Sequence, residues 1–465
     1  MQIRNGIKQR RTLTRCVMSG TVAVAALLAA SMGVRGQSSD ALIDKLVEKG
    51  ILSVKEANEL REEADKNFTT AYAVKSGMPD WVTSFKWGGD LRGRFEEYAS
   101  SNPLFESQDR WRYRFRVGAT VTMLEDFEVG FRLGSGNLDS GLSTGSDPIS
   151  SNQTYQNNAS KKGVFIDLAY AKWSPLHSHG WTASTTLGKM ENPFVFSDMV
   201  FDADYTPEGA AANVGYNFND RHALKLIGGA FIVDNNARVT SQPFNAENPF
   251  MTGGQLLLDS AWTKRLATSA GIAILGITDA DQLVNGSVPN INQGNTRNLV
   301  TTAPTYKFSP VVASASATYS LDEIPFYPGP FPIKVAGEYM HNAAAPSSAD
   351  NSAYNVGIMF GKSGKKGTWE IAYTWKWLGA NSWYEEVVDS DFGALYQQTQ
   401  PASGFTGPNY GSGTNVKGNI FKVAYSPYDF LTLSFKWFYT WLIVQYPDGS
   451  NSDMNRFQVD ATIKF

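Results

Sequence analysis

Arg110-Trp111-Arg112-Tyr113-Arg114-Phe115-Arg116-Val117 alternates a guanidinium with a large apolar or aromatic side chain at every step. In an extended strand successive side chains point to opposite faces, so this octapeptide has one face of arginines and one of Trp, Tyr, Phe and Val. A helix would mix the two sets on every face. The pattern continues through Ala119, Val121 and Met123 against Thr120 and Thr122. Upstream, Phe85, Trp87, Leu91 and Phe95 alternate with Lys86, Asp90, Arg92, Arg94 and Glu96. Downstream it returns in Trp369 to Trp377, in Leu431 to Trp441, and in the closing residues Phe457, Val459, Ala461, Ile463 and Phe465.

Strands with one aromatic and one charged face fit two environments. In a soluble sandwich the apolar faces meet; in a membrane barrel they face lipid and the polar faces line a lumen. Length separates the two: many of these segments run on the order of ten residues, enough to cross a bilayer when tilted, against about five or six in an average strand. Aromatic residues near strand ends, such as Trp377, Tyr425, Trp441 and Phe465, suit an interfacial girdle.

Applied along the chain, the pattern predicts strands at 83–98, 110–123, 126–137, 163–174, 179–189, 211–219, 221–234, 251–263, 266–279, 305–320, 331–342, 353–361, 367–378, 416–426, 429–444 and 453–465. Sixteen is an even number in the range of barrels with an aqueous channel. Short connections (Leu124-Glu125, Pro175 to Ser178, Asn219-Asp220, Lys264-Arg265, Lys362 to Lys366, Pro427-Tyr428, with 321–330 longer) alternate with long ones (138–162, 190–210, 235–250, 280–304, 379–415). The expected fold is an all-β membrane protein, a 16-stranded antiparallel transmembrane β-barrel over 83–465. Both of its ends would lie on the short-turn, periplasmic side.

Composition agrees. The 465 residues include 42 Gly, 20 Pro, 27 Phe, 20 Tyr and 12 Trp, with 18% charged residues. A mean hydropathy of −0.27 is too polar for a multi-span helical membrane protein but suits strands with one wet face. The single cysteine excludes a disulfide scaffold, a Cys-ligated zinc site and an iron–sulfur cluster.

Residues 1–36 read as a secretory signal peptide: Arg4, Lys8, Arg10, Arg11 and Arg15 precede the uncharged run from Cys16 to Val34. Cleavage near Gln37 removes six basic and no acidic residues, taking the formal charge from −3 to −9 and arguing against nucleic-acid binding. In 37–82, Leu42, Ile43, Leu46 and Val47, then Gly50 and the capping box Ser53-Val54-Lys55-Glu56, predict two short helices over about 40–67, a periplasmic helical segment and linker forming a small hairpin or an oligomerising segment; the alternative is a weakly ordered tether.

The connection 190–210 departs from its Gly/Ser/Asn-rich counterparts. It interleaves Phe194, Val195, Phe196, Met199, Val200 and Phe201 with Asp198, Asp202, Asp204 and Glu208. A solvated loop has no use for six such apolar residues, so the segment is read as folded into the barrel, its apolar side chains on the wall and its acids facing the lumen, a constriction loop; the alternative is an external loop that covers a neighbouring subunit.

Taken together, the signal peptide, the helical segment, Gly89-Asp90-Leu91-Arg92-Gly93-Arg94, the stretch Gly188-Lys189…Asn192-Pro193-Phe194…Asp202-Ala203-Asp204…Pro207-Glu208-Gly209 and the terminal Phe465 resemble the bacterial "putative porin" family, similar in plan to general and phosphate-selective porins. The resemblance implies an outer-membrane location, a homotrimer, a third loop that narrows the channel, and a C-terminal Phe465 of the kind read by the barrel-assembly machinery. It names no solute.

Lumen chemistry follows from the polar faces. Arg92, Arg94, Arg110, Arg112, Arg114, Arg116 and Arg132 lie on three sequence-adjacent strands, so a meander gathers them into one basic wall. Such a wall favours anions in a narrow aqueous pore and, opposite the acidic loop, sets up a transverse field. Alternatively the arginines pair with Glu96, Glu128 and Asp167 and stiffen the wall.

Other motifs carry less. Gly361-Lys362-Ser363 lacks the first glycine of a phosphate loop, Val356 standing in its place. His177 and His179 have no third ligand nearby in sequence, and Asp389-Ser390-Asp391 matches no calcium loop. His222 and His341 have no evident catalytic partner, so neither an enzyme, a metal nor a cofactor is expected. The function expected is passive diffusion of small hydrophilic solutes or ions through a water-filled channel in outer-membrane lipid. The alternative is a non-conducting barrel acting as an adhesin or envelope anchor.

Overall fold

Among the described residues sixteen strands of the barrel wall follow one another in the order of the chain, with three short strands (Gln153–Thr154, Gly393–Tyr396 and Asn409–Ser412) in the connections: β1 Val82–Ala99, β2 Gln108–Met123, β3 Phe127–Gly136, β4 Gly163–Ser178, β5 Trp181–Lys189, β6 Glu208–Asn219, β7 His222–Ile232 and β8 Phe250–Ala261. They continue with β9 Leu266–Ile277, β10 Pro310–Leu321, β11 Phe331–Asn342, β12 Ser352–Gly361, β13 Trp369–Leu378, β14 Val416–Tyr428, β15 Leu431–Leu442 and β16 Met454–Lys464. The computed structural model describes residues 78–102, 107–136, 149–235, 248–284, 293–298, 300–396, 409–444 and 452–465. The signal peptide and the helices expected over 40–67 lie outside the described residues.

Each strand pairs antiparallel with its neighbours in sequence, and β1 pairs with β16 from Asp90↔Lys464 to Ala99↔Asn455, closing the sheet into a barrel. All sixteen expected strands are present in the expected order. Several bounds shift by a few residues: β6 begins at Glu208 rather than 211, and the turn expected at Pro427-Tyr428 is Asp429-Phe430, because β14 runs on through a register shift to pair Tyr428 with Leu431. Two further shifts have a local cause. The turn expected at Pro175 to Ser178 is instead His179-Gly180, because β4 runs on to Ser178 through a register shift between Trp173 and Leu176. Pro175 falls in that irregularity, where its missing N–H breaks no regular ladder bond. The turn is a two-residue hairpin with both φ values positive, His179 at 52° and Gly180 at 82°. Strand β10 starts at Pro310 rather than 305, since Thr305 donates its N–H to Thr296 O (2.8 Å) within the preceding connection.

The barrel is turned inside out relative to a soluble protein. Trp87 is 69% exposed on the outer face, with Phe85, Trp111, Phe131, Ile274 and Ile371 also exposed there. Glu96, Lys376, Arg456 and Gln458 are buried on the inner face. An apolar surface this extensive is far larger than a soluble monomer shows, and only lipid or another apolar surface covers it without cost.

The seam carries a close-packed feature. Phe465 exchanges two backbone hydrogen bonds with Gly89 (2.9 and 3.1 Å), and a Cβ on Gly89 would lie 2.2 Å from Arg116 O and 2.8 Å from the Phe465 ring. Glycine is thus required where the last residue locks onto the first strand. Gly89→Val is expected to destabilise the closed barrel by about 1–3 kcal/mol, the usual range for overpacking. A lowered temperature for loss of the compact gel-mobility form would show it, and an unshifted midpoint would count against this role of the seam.

Candidate functional site

The basic wall is assembled as the register dictates. β1 and β2 pair with Arg92 opposite Arg114 and Arg94 opposite Arg112, all pointing inward with Asp90, Glu96, Arg110 and Arg116. Stacking this many guanidiniums is tolerable only with interleaved carboxylates. Glu96 is the hub: its oxygens meet Arg110 Nε (2.6 Å), Arg456 Nη2 (2.9 Å), Arg94 Nη1 (3.2 Å) and Arg112 Nη1 (3.7 Å). Asp460 on β16 takes Arg94 through two parallel bonds (2.7 and 2.8 Å). Asp90 binds Arg114 (2.9 Å) and Arg116 (2.7 Å), and Asp167 binds Arg132 (2.5 Å). Arg92 donates to Asn152 Oδ1 (2.7 Å). Of the partners expected, Glu96 and Asp167 are used. Glu128 instead accepts from Tyr170 Oη (2.9 Å).

The 190–207 connection crosses the inside of the barrel. Val195 exchanges N–H and C=O bonds with the Gln255 amide on β8 (both 2.8 Å). The Ser197 N–H donates to Glu338 on β11 (2.9 Å), and Asn355 on β12 donates to Ser197 Oγ (2.6 Å). Asp198 pairs with Lys376 on β13 (2.7 Å). On the opposite wall, Asp204 receives Arg114 (3.0 Å) and Arg116 (3.1 Å), and Glu191 receives Arg132 (2.7 Å). Its apolar residues Phe194, Met199, Val200 and Phe201 are buried among Phe231, Met251, Leu275 and Trp383, and Phe201 stacks on Tyr205 at 5.5 Å. Glu208 stands apart as the first residue of β6, exposed and paired with Lys189 (3.2 Å). The acids of this loop are therefore divided: Asp204 is bonded to the arginine wall, Asp198 to the far wall, and Asp202 to neither.

A second inward segment, 379–396, has no counterpart among the sequence expectations. Trp383, Tyr384, Val387, Val388 and Phe392 are buried inside the barrel. Arg297 from the 278–309 connection pairs with Glu385 (2.6 Å), and Asn295 Nδ2 donates to the carbonyls of Ala380 and Trp383 (2.7 and 2.8 Å). Asp391 reaches the arginine wall, bonding Arg94 (3.1 Å) and Arg456 (2.8 Å). The two inward loops clasp each other: Asp202 N–H donates to Val387 O (2.8 Å), Asp389 N–H to Asp198 O (3.0 Å), and Ser390 N–H to Asp202 Oδ2 (2.8 Å). Lys376, fully buried, bridges Asp198 (2.7 Å) and Asp389 (2.6 Å). The signal for this segment was present in Trp383-Tyr384 and Val387-Val388, but the polar residues around them masked it.

Electrostatics at the clasp follow from these contacts. Burial and the nearby Asp389 carboxylate push the Asp202 carboxyl up to about 7. Burial likewise raises Asp389, against the opposing pull of Lys376. For Asp204 burial acts in the same direction but the guanidiniums of Arg114 and Arg116 outweigh it, holding the carboxyl below its ordinary range.

Open space remains beside the 190–207 loop. A cavity of about 280 Å³ lies between Arg116 and Arg132 on the wall and Glu191, Asn192, Asp202 and Asp204 on the loop. On the short-turn side a cavity of about 630 Å³ is lined by Lys86, Asp90, Thr120, Glu128, Arg132 and Lys172. Both are polar and large enough for water.

Among known proteins, the model of the family described as "Putative porin" matches residues 99–309, in agreement with the resemblance read from the sequence. No curated protein sequence matches the chain. Similar solved structures include OprB of Pseudomonas putida at high pH (12% identity, 82% of this chain and 94% of that chain, TM-score 0.48). OmpF of Salmonella typhi in complex with daunomycin gives 11%, 82%, 97% and 0.44 by the same measures. OpdQ of Pseudomonas aeruginosa gives 10%, 83%, 99% and 0.41.

Proposed function

With residues 99–309 matching a porin family and the described chain closed into a barrel with a charged interior, we propose that the protein is an outer-membrane porin. It forms a water-filled channel for passive diffusion of small hydrophilic solutes or ions. The observation that carries this reading is the inside-out barrel: an apolar outer belt around a lumen of guanidinium and carboxylate groups, entered by two clasped loops with polar cavities beside them. The barrel domain is 83–465, preceded by the 1–36 signal peptide and the 37–82 periplasmic segment. A homotrimer in the membrane and recognition of Phe465 by the assembly machinery belong to the same reading.

Arg92, Arg94, Arg112, Arg114, Arg116 and Arg132 line the wall that a permeating ion passes, and Asp198, Asp202 and Asp204 belong to the constriction, whereas Glu208 lies outside it at the start of β6. Because Asp204 is bonded to Arg114 and Arg116, the narrow zone holds close pairs of opposite charge, and selectivity rests on the balance between them. Planar-bilayer recording in a salt gradient tests the reading. Step conductances and a size cutoff for sugars in liposome swelling are expected; their absence would refute a channel. Replacing Arg112 and Arg114 together by Ala leaves Asp204 and Glu96 less compensated, so anion over cation permeability should fall. An unchanged reversal potential would remove these residues from selectivity.

A further inference from the structure

On the outer face of β11–β15 one register row reads Tyr339, Tyr354, Trp377, Lys417, Trp441. Four are aromatic, and Lys417 is the only Lys or Arg at an outward position of β11–β16. Its ammonium lies 4.6 Å from the Trp377 ring centre and 5.9 Å from that of Trp441. Tyr354 stacks on Trp377 (6.1 Å, 5°), and Trp441 packs against Trp375 (5.9 Å) and Tyr439 (5.4 Å), fixing both indoles. Among the described residues Lys417 has no carboxylate partner. Indole faces stabilise a cation but accept no conventional hydrogen bond from it, so the three N–H donors of the ammonium are left for another ligand.

Height along the barrel identifies that ligand. From Tyr425, at the short-turn end of β14, to Lys417 is eight residues on the same face. At a rise of about 3.3 Å and a tilt of about 40° this is about 20 Å along the membrane normal, close to the thickness of the apolar band of such barrels. The row therefore lies at the lipid–water boundary on the long-connection side, where phosphate headgroups sit and where a lysine reaches out of the apolar layer.

We propose that Lys417, held between Trp377 and Trp441, binds the headgroup phosphate of a lipid in the external leaflet. This rests on the porin reading for its orientation in the membrane. Charge complementarity selects the occupant: a lone outward cation in an aromatic row suits a phosphorylated lipid, whereas a headgroup without phosphate offers the ammonium no counter-charge.

Native mass spectrometry of the detergent-solubilised full chain with diphosphorylated lipid A as the probe tests this. The dephosphorylated form of that lipid and inorganic phosphate are the comparisons. Lys417→Met is expected to weaken retention of the diphosphorylated lipid about fivefold, the effect of one basic residue at a membrane surface. Lys417→Arg should retain it, Lys161→Met on an exposed loop should leave it unchanged, and the dephosphorylated lipid should not distinguish the variants. Equal retention by wild type and Lys417→Met would overturn the proposal. So would displacement by inorganic phosphate alone, or loss of oligomer in Lys417→Met, which would mark a subunit contact. Bilayer conductance measured on the same samples separates the two readings, since Lys417→Met should conduct as wild type does. A chain that binds the lipid but never conducts would refute the channel and leave this site standing.

Discussion

Lys376→Met is expected to release the two inward loops from each other and raise single-channel conductance, with added current noise. The ammonium is fully buried, bonded to Asp198 at 2.7 Å and Asp389 at 2.6 Å, and lies 4.6 Å from the Phe392 ring centre. Removing it leaves two carboxylates facing each other inside the barrel. Breaking a buried ion pair by deleting one partner costs about 3–5 kcal/mol. The lower end applies, because the Asp198 side chain is 47% exposed and partly hydrated. Three kcal/mol shifts a local opening equilibrium by about a hundredfold, enough to turn a rare opening into a frequent one. Methionine fills a similar volume, so the barrel wall itself should persist. Replacing Asp198 and Asp389 by Asn in the same chain removes the uncompensated charge and should restore quiet, wild-type conductance. If Lys376→Met conducts as wild type does and 190–207 remains protected from protease, the clasp does not control the opening.

Raising pH from mild acid to neutrality should loosen the same clasp. Docked, Asp202 is raised to about 7 by burial and by Asp389; undocked, its carboxyl returns to the ordinary carboxylate range. Docking therefore favours the protonated form. The penalty is absent below the ordinary range, grows as pH climbs towards about 7, and is complete above it. Asp389, also raised, adds in the same direction. Asp204 acts oppositely: it is held below its ordinary range by Arg114 and Arg116, so its contribution is present at neutral pH and disappears in strong acid. The loops should be held most firmly in mild acid, with conductance and noise rising between about pH 4 and pH 7 and levelling off above that. Asp202→Asn, neutral at every pH, should flatten that rise. A wild-type conductance independent of pH across this range would show that Asp202 does not govern the opening.

How much of this was legible in the sequence follows from what each feature depends on. The strands were readable because alternation is local: Arg112 faces the lumen because Tyr113 faces out, whatever else the chain does. The 190–210 segment was readable because Phe194, Met199 and Phe201 have no place in a solvated loop. The 379–396 segment was harder, since its buried Trp383 and Val387 are scattered among Asn381, Ser382, Glu385 and Asp389, residues that also compose ordinary surface loops. Arg297 and Asn295, which anchor it, lie about ninety positions away in another connection.

The sequence by itself determined the inside-out barrel, its strand order and the face on which each arginine lies, because a two-residue period and turn spacing are short-range properties of the chain. Only the tertiary structure decided which carboxylate neutralises which cation. Arg94 meets Asp391 across 297 positions and Asp460 across 366, and Lys376 meets Asp198 across 178. Those pairings depend on barrel closure bringing β16 beside β1 and on two loops entering one lumen. Coulomb attraction acts on distance in space, which spacing along the chain does not encode.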